Sequence, residues 1–264
     1  MIVKKSQAEI ERMARSGLVL AATHDLLRES AKAGVSTGEL DRIAERFIRD
    51  QGGVPTFKGY RGFPGSICAS PNEMIVHGIP GDYRLKGGDI ISLDVGVTLG
   101  GWVSDAAVTL AIGEIDADRE RLLAVTEASL LAGVAQAVAG NRMGDISSAV
   151  QHVCEEGGLS VVRSLVGHGV GREMHEDPQV PNYGRPGRGV RLEEGMVLAI
   201  EPMTTLGGPG VHVGDDGWAI YAQDDSPTAH FEFTVAITAE GPRILTPWHI
   251  PAAEREGAAA ASAS

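Results

Sequence analysis

Two aspartates stand in a stretch that is otherwise apolar. Asp94 lies in DIISLDVGV and Asp105 in WVSDAAVTL. Ile90, Ile91, Leu93, Val95 and Val97 form one β-branched-rich run, and Trp102, Val103, Ala107, Val108 and Leu110 form another. With Leu99-Gly100-Gly101 between them, the pattern is that of a β-hairpin. If Leu99-Gly100 is the two-residue loop, Thr98 faces Gly101 and Asp94 faces Asp105, with Cβ atoms about 5 Å apart. Like charges so placed repel, and burial in an apolar strand adds a desolvation cost. A shared proton or a cation must neutralise them. Glu201 and Glu232 repeat the device. A hairpin turning at Asp216-Gly217, between GVHVGD and WAIYAQ, brings these two glutamates level, although Pro202, the glycines from Gly207 to Gly210, and Pro227 interrupt any regular ladder. His168 lies in Gly167-His168-Gly169-Val170-Gly171, entered from Val161 to Val166, which reads as a strand. The flanking glycines leave room for something large near the imidazole. One imidazole and four carboxylates make an oxygen-rich set with a single nitrogen, better suited to Mn, Fe, Co or Zn in a catalytic site than to a structural zinc. Five side chains, several able to bridge, are more than one ion in an open site needs. They match a two-metal hydrolytic centre, in which a water is acidified and held for attack.

Helices must position these groups. Ser6-x-x-Glu9 is a capping box that opens a helix running to about Glu29, with Ile10, Met13, Leu20 and Leu27 inside. Ser36-x-x-Glu39 opens a second, which carries Leu40, Ile43, Ala44, Phe47 and Ile48 and stops at Gly52-Gly53. Phe57 to Pro80 is a region of loops and short strands. A third helix is expected from about Asp118 to Ala139 and a fourth from about Asp145 to Glu156. This order conceals a repeat. Ala33-Gly34 through Gly52-Gly53 lines up with Ala139-Gly140 through Gly157-Gly158, so that Gly38 falls on Gly144 and Leu40 on Ile146. LKGGDIISLD, Leu85 to Asp94, lines up with LEEGMVLAIE, Leu192 to Glu201, so that Gly88 falls on Gly195 and Asp94 on Glu201. Duplication of a helix-helix-hairpin unit predicts two pseudo-symmetric halves, roughly 1–115 and 116–251, with their strands in one sheet and an acid from each at one place.

The chain has 264 residues and a formal net charge of -12 with no run of Lys or Arg, which speaks against a nucleic-acid surface. No stretch is apolar enough for a membrane span, and the amino terminus has no signal-type apolar core. Its two cysteines, Cys68 and Cys154, are far apart, as expected in a reducing cytosol without disulfides. AAEREGAAAASAS, residues 252–264, reads as a low-complexity flexible tail after a single catalytic domain at 1–251.

NEMIVHGIP, DVGVTLGGWVSDAAVTL, GHGVGREMHEDPQVPNYG, GMVLAIEPM and the acid of HFEFT, in that order and spacing, resemble the motif set of type I methionine aminopeptidases from about Ser6 to Trp248. The resemblance implies an α/β pita-bread fold, two pseudo-symmetric halves around a central antiparallel-rich sheet. It implies removal of the initiator methionine when the second residue is small. It further implies two divalent ions, one chelated by Asp94 and the other by His168 and Glu201, with Asp105 and Glu232 bridging. His175 would hydrogen-bond the scissile carbonyl, His77 would hold the following peptide nitrogen, and Glu201 would pass a proton to the leaving amine. Tyr60, Phe63, Cys68, Met174 and Trp218 would form the methionine pocket, with Phe57 at its edge. In that family Phe63 is often Tyr, Met174 often Phe and Phe57 often Cys. Nascent polypeptide amino termini would be the partners, with transient ribosome contact. A cytoplasmic monomer with no direct nucleic-acid or membrane binding would follow. The alternatives are a proline-directed peptidase of the same superfamily and a non-catalytic peptide-binding module. His230 shares the strand face of Glu232 and is expected to make a supporting contact there rather than to ligate. His24, His152, His212 and His249 are expected to be structural.

Overall fold

The computed structural model describes residues 1–255. Four long helices and fifteen short or medium strands are found among them. Helix α1 (Gln7–Ser30) starts at the expected box, where Glu9 accepts from the Ser6 backbone. Helix α2 (Thr37–Asp50) starts likewise at Ser36, whose N–H donates to Glu39. Strands β1 (Val54–Pro55), β2 (Cys68–Pro71) and β3 (Met74–Val76) precede the long hairpin of β4 (Ile90–Leu99) and β5 (Trp102–Ala111). Helix α3 (Ala117–Ala135) ends a turn earlier than expected, and α4 (Met143–Glu156) follows it. Then come β6 (Ser160–Val161), β7 (Gly167–Gly169), β8 (Glu176–Val180), β9 (Val197–Ile200), β10 (Met203–Thr205), β11 (Val211–Val213), β12 (Ile220–Ala222), β13 (Thr228–His230), β14 (Phe233–Thr238) and β15 (Gly241–Ile244).

The repeat is visible in the backbone bonds. Gly34 N–H donates to Leu85 O and Gly140 N–H to Leu192 O. Thr37 N–H donates to Tyr83 O and Met143 N–H to Val190 O. Gly88 and Gly195, the aligned glycines before β4 and β9, both have positive φ, 95° and 87°. In each half a helix pair covers one face of its strands. Along β4 the side chains alternate, so Leu93, Val95 and Val97 pack with Leu20, Leu27 and Ile48 of the helices, while Asp94 points the other way. Leu122, Leu130 and Val150 pack in the same way over Leu198, Ile200 and Phe233. Each such fully buried aliphatic contributes about 1.5–3 kcal/mol.

Three expectations are revised. The β4–β5 loop is Gly100-Gly101, with Leu99 paired to Trp102. Such a turn needs positive φ at both central residues; the two glycines, at 58° and 78°, supply it, whereas Leu99 would be strained there. Asp94 therefore pairs with Ala107, and Asp105 pairs with Gly96. The two acids share a face as diagonal neighbours, with Cβ atoms about 7 Å apart rather than about 5 Å. Second, the strands divide into four sheets instead of one, with β4 between β5 on one side and β1 and β2 on the other, and β15-β14-β9-β7-β8 as the largest. The halves meet where β12 pairs with β3 and where β5 lies against β13 and β14. There Glu232 N–H donates to Ala107 O, and threonine hydroxyls replace the rest of a ladder. Third, of the Val161 to Val166 segment only Val161 lies in a strand, as the end of β6. Among the residues expected in the tail, Arg255 is buried and pairs with Asp25. Residues 256–264 of that tail lie outside the described residues.

Candidate metal centre and apolar cleft

The ladder of the second hairpin breaks where the acids sit. Ile200 pairs with Phe233 and Met203 with His230, so Glu201 is level with Glu232 in the gap between them. Pro202 lacks an N–H to continue the ladder, and the Glu232 N–H turns instead to β5. The turn at the far end spans Asp215 to Trp218, longer than Asp216-Gly217 alone, without altering the register of β11 and β12. His168 sits in β7, with Ala199 of β9 on one side and Gln179 of β8 on the other. Its flanking glycines serve those neighbours, contrary to the expectation of room for a ligand. A Cβ on Gly167 would lie 2.2 Å from Ala199 O, and one on Gly169 would lie 2.2 Å from Asp177 O.

Asp94, Asp105, His168, Glu201 and Glu232 all line one cleft of about 340 Å³. Ligand atoms of Asp105, His168 and Glu232 fall within 4.8 Å of one another. The His168 Nδ1–H donates to Gly169 O at 2.9 Å, and its Nε2 faces Glu201 Oε1 at 3.6 Å and Asp105 Oδ2 at 3.9 Å, too far for hydrogen bonds. Gaps of that size between a ring nitrogen and two carboxyl groups are those of ligands around a cation. Burial is the chief cause that lifts the Asp94 and Glu201 carboxyls to about 7, and it pushes Asp105 and Glu232 up too, with the neighbouring acids adding to the last two. Asp94 Oδ1 and Asp105 Oδ1 are buried without a hydrogen-bond partner. Among the described residues no lysine or arginine pairs with any of these acids. Oxygen-rich, buried and with two carboxyl oxygens unpaired, the set fits divalent cations, whose charge offsets the cost of ionising these acids.

The apolar wall adjoins this centre. Phe57, Phe63, Cys68 and Met174 are buried in one cluster with Tyr60 and Trp218 against it, and Phe63 meets the Trp218 ring edge-on at 5.2 Å. Gly96 makes room for Phe57, whose ring would stand 2.6 Å from a Cβ there. Burial, followed by the charges of Asp94 and Asp105, pushes the Cys68 thiol up, so it acts as an apolar wall. His77 adopts φ 61°, a conformation unusual for a non-glycine residue and concentrated at functional sites. Gly78 follows it because a Cβ there would lie 2.3 Å from Ala69 O. His175 sits at the mouth, its Nδ1 2.8 Å from the Tyr60 hydroxyl and its ring 4.3 Å from that of His168. All the residues expected at the site thus line one cleft. Ser164 and Leu165 join them with no motif to mark them, and Met203 joins from the end of GMVLAIEPM. His230 is 1% exposed and faces the acids more closely than expected, and its alternation with Glu232 was the available signal.

The sequence pattern of metallopeptidase family M24 matches residues 11–239. A methionine aminopeptidase of Clostridium perfringens is 51% identical over 246 residues, 93% of this chain and 99% of its own. The crystal structure of a methionine aminopeptidase from Thermotoga maritima superposes with a TM-score of 0.92 at 42% identity, covering 93% of this chain and 99% of that one. A prolidase from Pyrococcus horikoshii OT3 superposes with a TM-score of 0.72 at 22% identity, covering 93% of this chain and 64% of that one, a likeness of fold alone. Half-identity over nearly the whole of both chains decides between these branches: the chain belongs to metallopeptidase family M24, among its methionine aminopeptidases.

Proposed function

We propose that this cleft removes the initiator methionine from nascent polypeptides whose second residue is small, using two divalent ions held by Asp94, Asp105, His168, Glu201 and Glu232. The observation that carries the reading is the buried, orphaned acid cluster beside an apolar pocket. Such ions supply Lewis acidity to a water and to the scissile carbonyl. The chain's own groups do the rest. The methionine side chain packs against Tyr60, Phe63, Cys68, Met174 and Trp218. His175 donates from Nε2 to the carbonyl oxygen as negative charge develops there. His77 holds the peptide nitrogen after the scissile bond. Glu201 takes the proton from the attacking water. As the C–N bond breaks, it returns that proton to the departing nitrogen. The second side chain lies beside the acids and His77, where a methyl or hydroxymethyl group fits and a branched one displaces the carbonyl.

Cleavage assays test this directly. Met-Ala-Ser should be cut with Mn or Co present and Xaa-Pro peptides should not. Met-Ile-Ser should be slower by about 10²-fold, the cost of a small misplacement at a site that works by positioning. Chelation should abolish activity, and Asp105→Asn should retain less than about a tenth of kcat/KM, a loss above about 1.4 kcal/mol. Robust cleavage by Asp105→Asn would remove its bridging role, and preference for Xaa-Pro would overturn the substrate assignment.

A further inference from the structure

His230 is a buried imidazole for which the reading above has no use. Neither of its ring nitrogens has a hydrogen-bond partner, although the residue is 1% exposed. Leaving two polar atoms unpaired in such a place is costly. Its Nε2 lies 3.5 Å from Glu201 Oε2 and 3.9 Å from Glu232 Oε2, both too long for hydrogen bonds. They are, however, the spacings of two ligands on one ion. Atoms each about 2.1 Å from a metal stand about 3.4 Å apart at a tetrahedral angle and about 4.2 Å apart when opposite. His168 Nε2 shows the same two spacings, 3.6 Å to Glu201 Oε1 and 3.9 Å to Asp105 Oδ2. Glu201 thus has an imidazole at each oxygen.

The internal repeat gives an independent reason. Where the halves meet, the Thr234 hydroxyl donates to Asp105 O and accepts from Asp105 N–H. The Thr109 hydroxyl donates to His230 O and accepts from His230 N–H. The two clasps are reciprocal, one threonine from each half holding one residue of the other. They make His230 the counterpart of Asp105, as Glu201 is the counterpart of Asp94. The fold therefore presents His230 at a position whose twin carries a proposed bridging carboxylate.

We propose that His230 is a sixth protein ligand of the centre, its Nε2 binding the ion held by Glu201 and Glu232. This rests on the reading of the cleft as a metal centre. The donor set then has two nitrogens rather than one, which moves its preference from Mn toward Co, Ni and Zn.

The test counts imidazoles on the metal. Metal-free protein is loaded with Co²⁺, and the exchangeable imidazole N–H protons shifted by the paramagnetic ion are counted by proton NMR. Wild type should give two such signals, from His168 and His230, and His230→Gln should give one. Competition titration should show Co²⁺ binding weakened about 10- to 100-fold in His230→Gln, with the unfolding temperature of the metal-free variant reporting its folding. One signal from Co-loaded wild type would overturn the proposal, and this count needs no variant. If wild type binds no Co²⁺ at all, the metal-centre reading itself fails.

Discussion

His175 shows how one contact can prepare a side chain for its task. Tyr60, expected only as pocket wall, places its hydroxyl 2.8 Å from His175 Nδ1. A phenol donating to that nitrogen leaves the ring proton on Nε2, the atom that the proposed role requires as donor. Loss of hydration, reinforced by His168, Arg61 and His77, lowers the His175 pKa to about 4, so the ring is neutral near neutral pH. His175→Ala should therefore lower kcat by about 10²-fold with a smaller change in KM, as for a donor whose bond strengthens in the transition state. Tyr60→Phe should act in the same sense and more weakly, since the imidazole survives and only its orientation is released. Steady-state rates on Met-Ala-Ser measure both. An effect of His175→Ala confined to KM would place the residue in ground-state binding instead.

At the scale of elements, α1 is tied to β5 one residue beyond Asp105. His24, fully buried, donates from Nε2 to Ala106 O at 3.0 Å. Burial chiefly, helped by the charges of Arg28 and Arg255 and opposed by the Ala106 carbonyl, lowers its pKa to about 4. The folded state then binds fewer protons than the unfolded state between pH 4 and about 6.5, so stability from this group rises with pH across that window and is lost as pH falls through it. Urea unfolding of wild type and His24→Asn from pH 4 to 7 should show the steeper loss in wild type, differing by about 3 kcal/mol across the window. Equal slopes would mean that His24 is not held neutral. The helix itself was legible in the sequence because the chemistry of Ser6 and Glu9 is local, and so were the hairpins and the gathering of the acids in one place. The register of β4 on β5 was not, since it turned on whether Leu99 or Gly101 enters the loop, a question of positive φ. The meaning of the glycines around His168 was hidden for a different reason: the carbonyls of Ala199 and Asp177 that press on them come from other strands.

At the scale of the whole molecule, the cleft lies on the seam between two copies of one unit. Asp94 and Asp105 come from the first half, and His168, Glu201 and Glu232 from the second, so their mutual position depends on how the halves are joined. Where β5 meets β13 and β14 the backbone bond from Glu232 N–H to Ala107 O is supplemented by side chains, and the Thr234 hydroxyl satisfies both polar groups of the Asp105 backbone at 2.7 and 3.0 Å. Thr246 in turn fixes Thr234 by donating no proton but accepting from its N–H at 2.9 Å. Thr234→Val keeps the volume and β-branching while removing the hydroxyl. Asp105 N–H and C=O would then be buried and unpaired, at a cost of about 1–3 kcal/mol. The variant should accordingly unfold at lower urea with an unchanged m-value, and the same shift of Asp105 should weaken Co²⁺ binding in a titration of the folded protein. Thr234→Ser, which restores the hydroxyl, should recover metal binding even if the lost methyl costs some stability. If Thr234→Val binds Co²⁺ as tightly as Thr234→Ser, Asp105 is held in place by something other than this clasp.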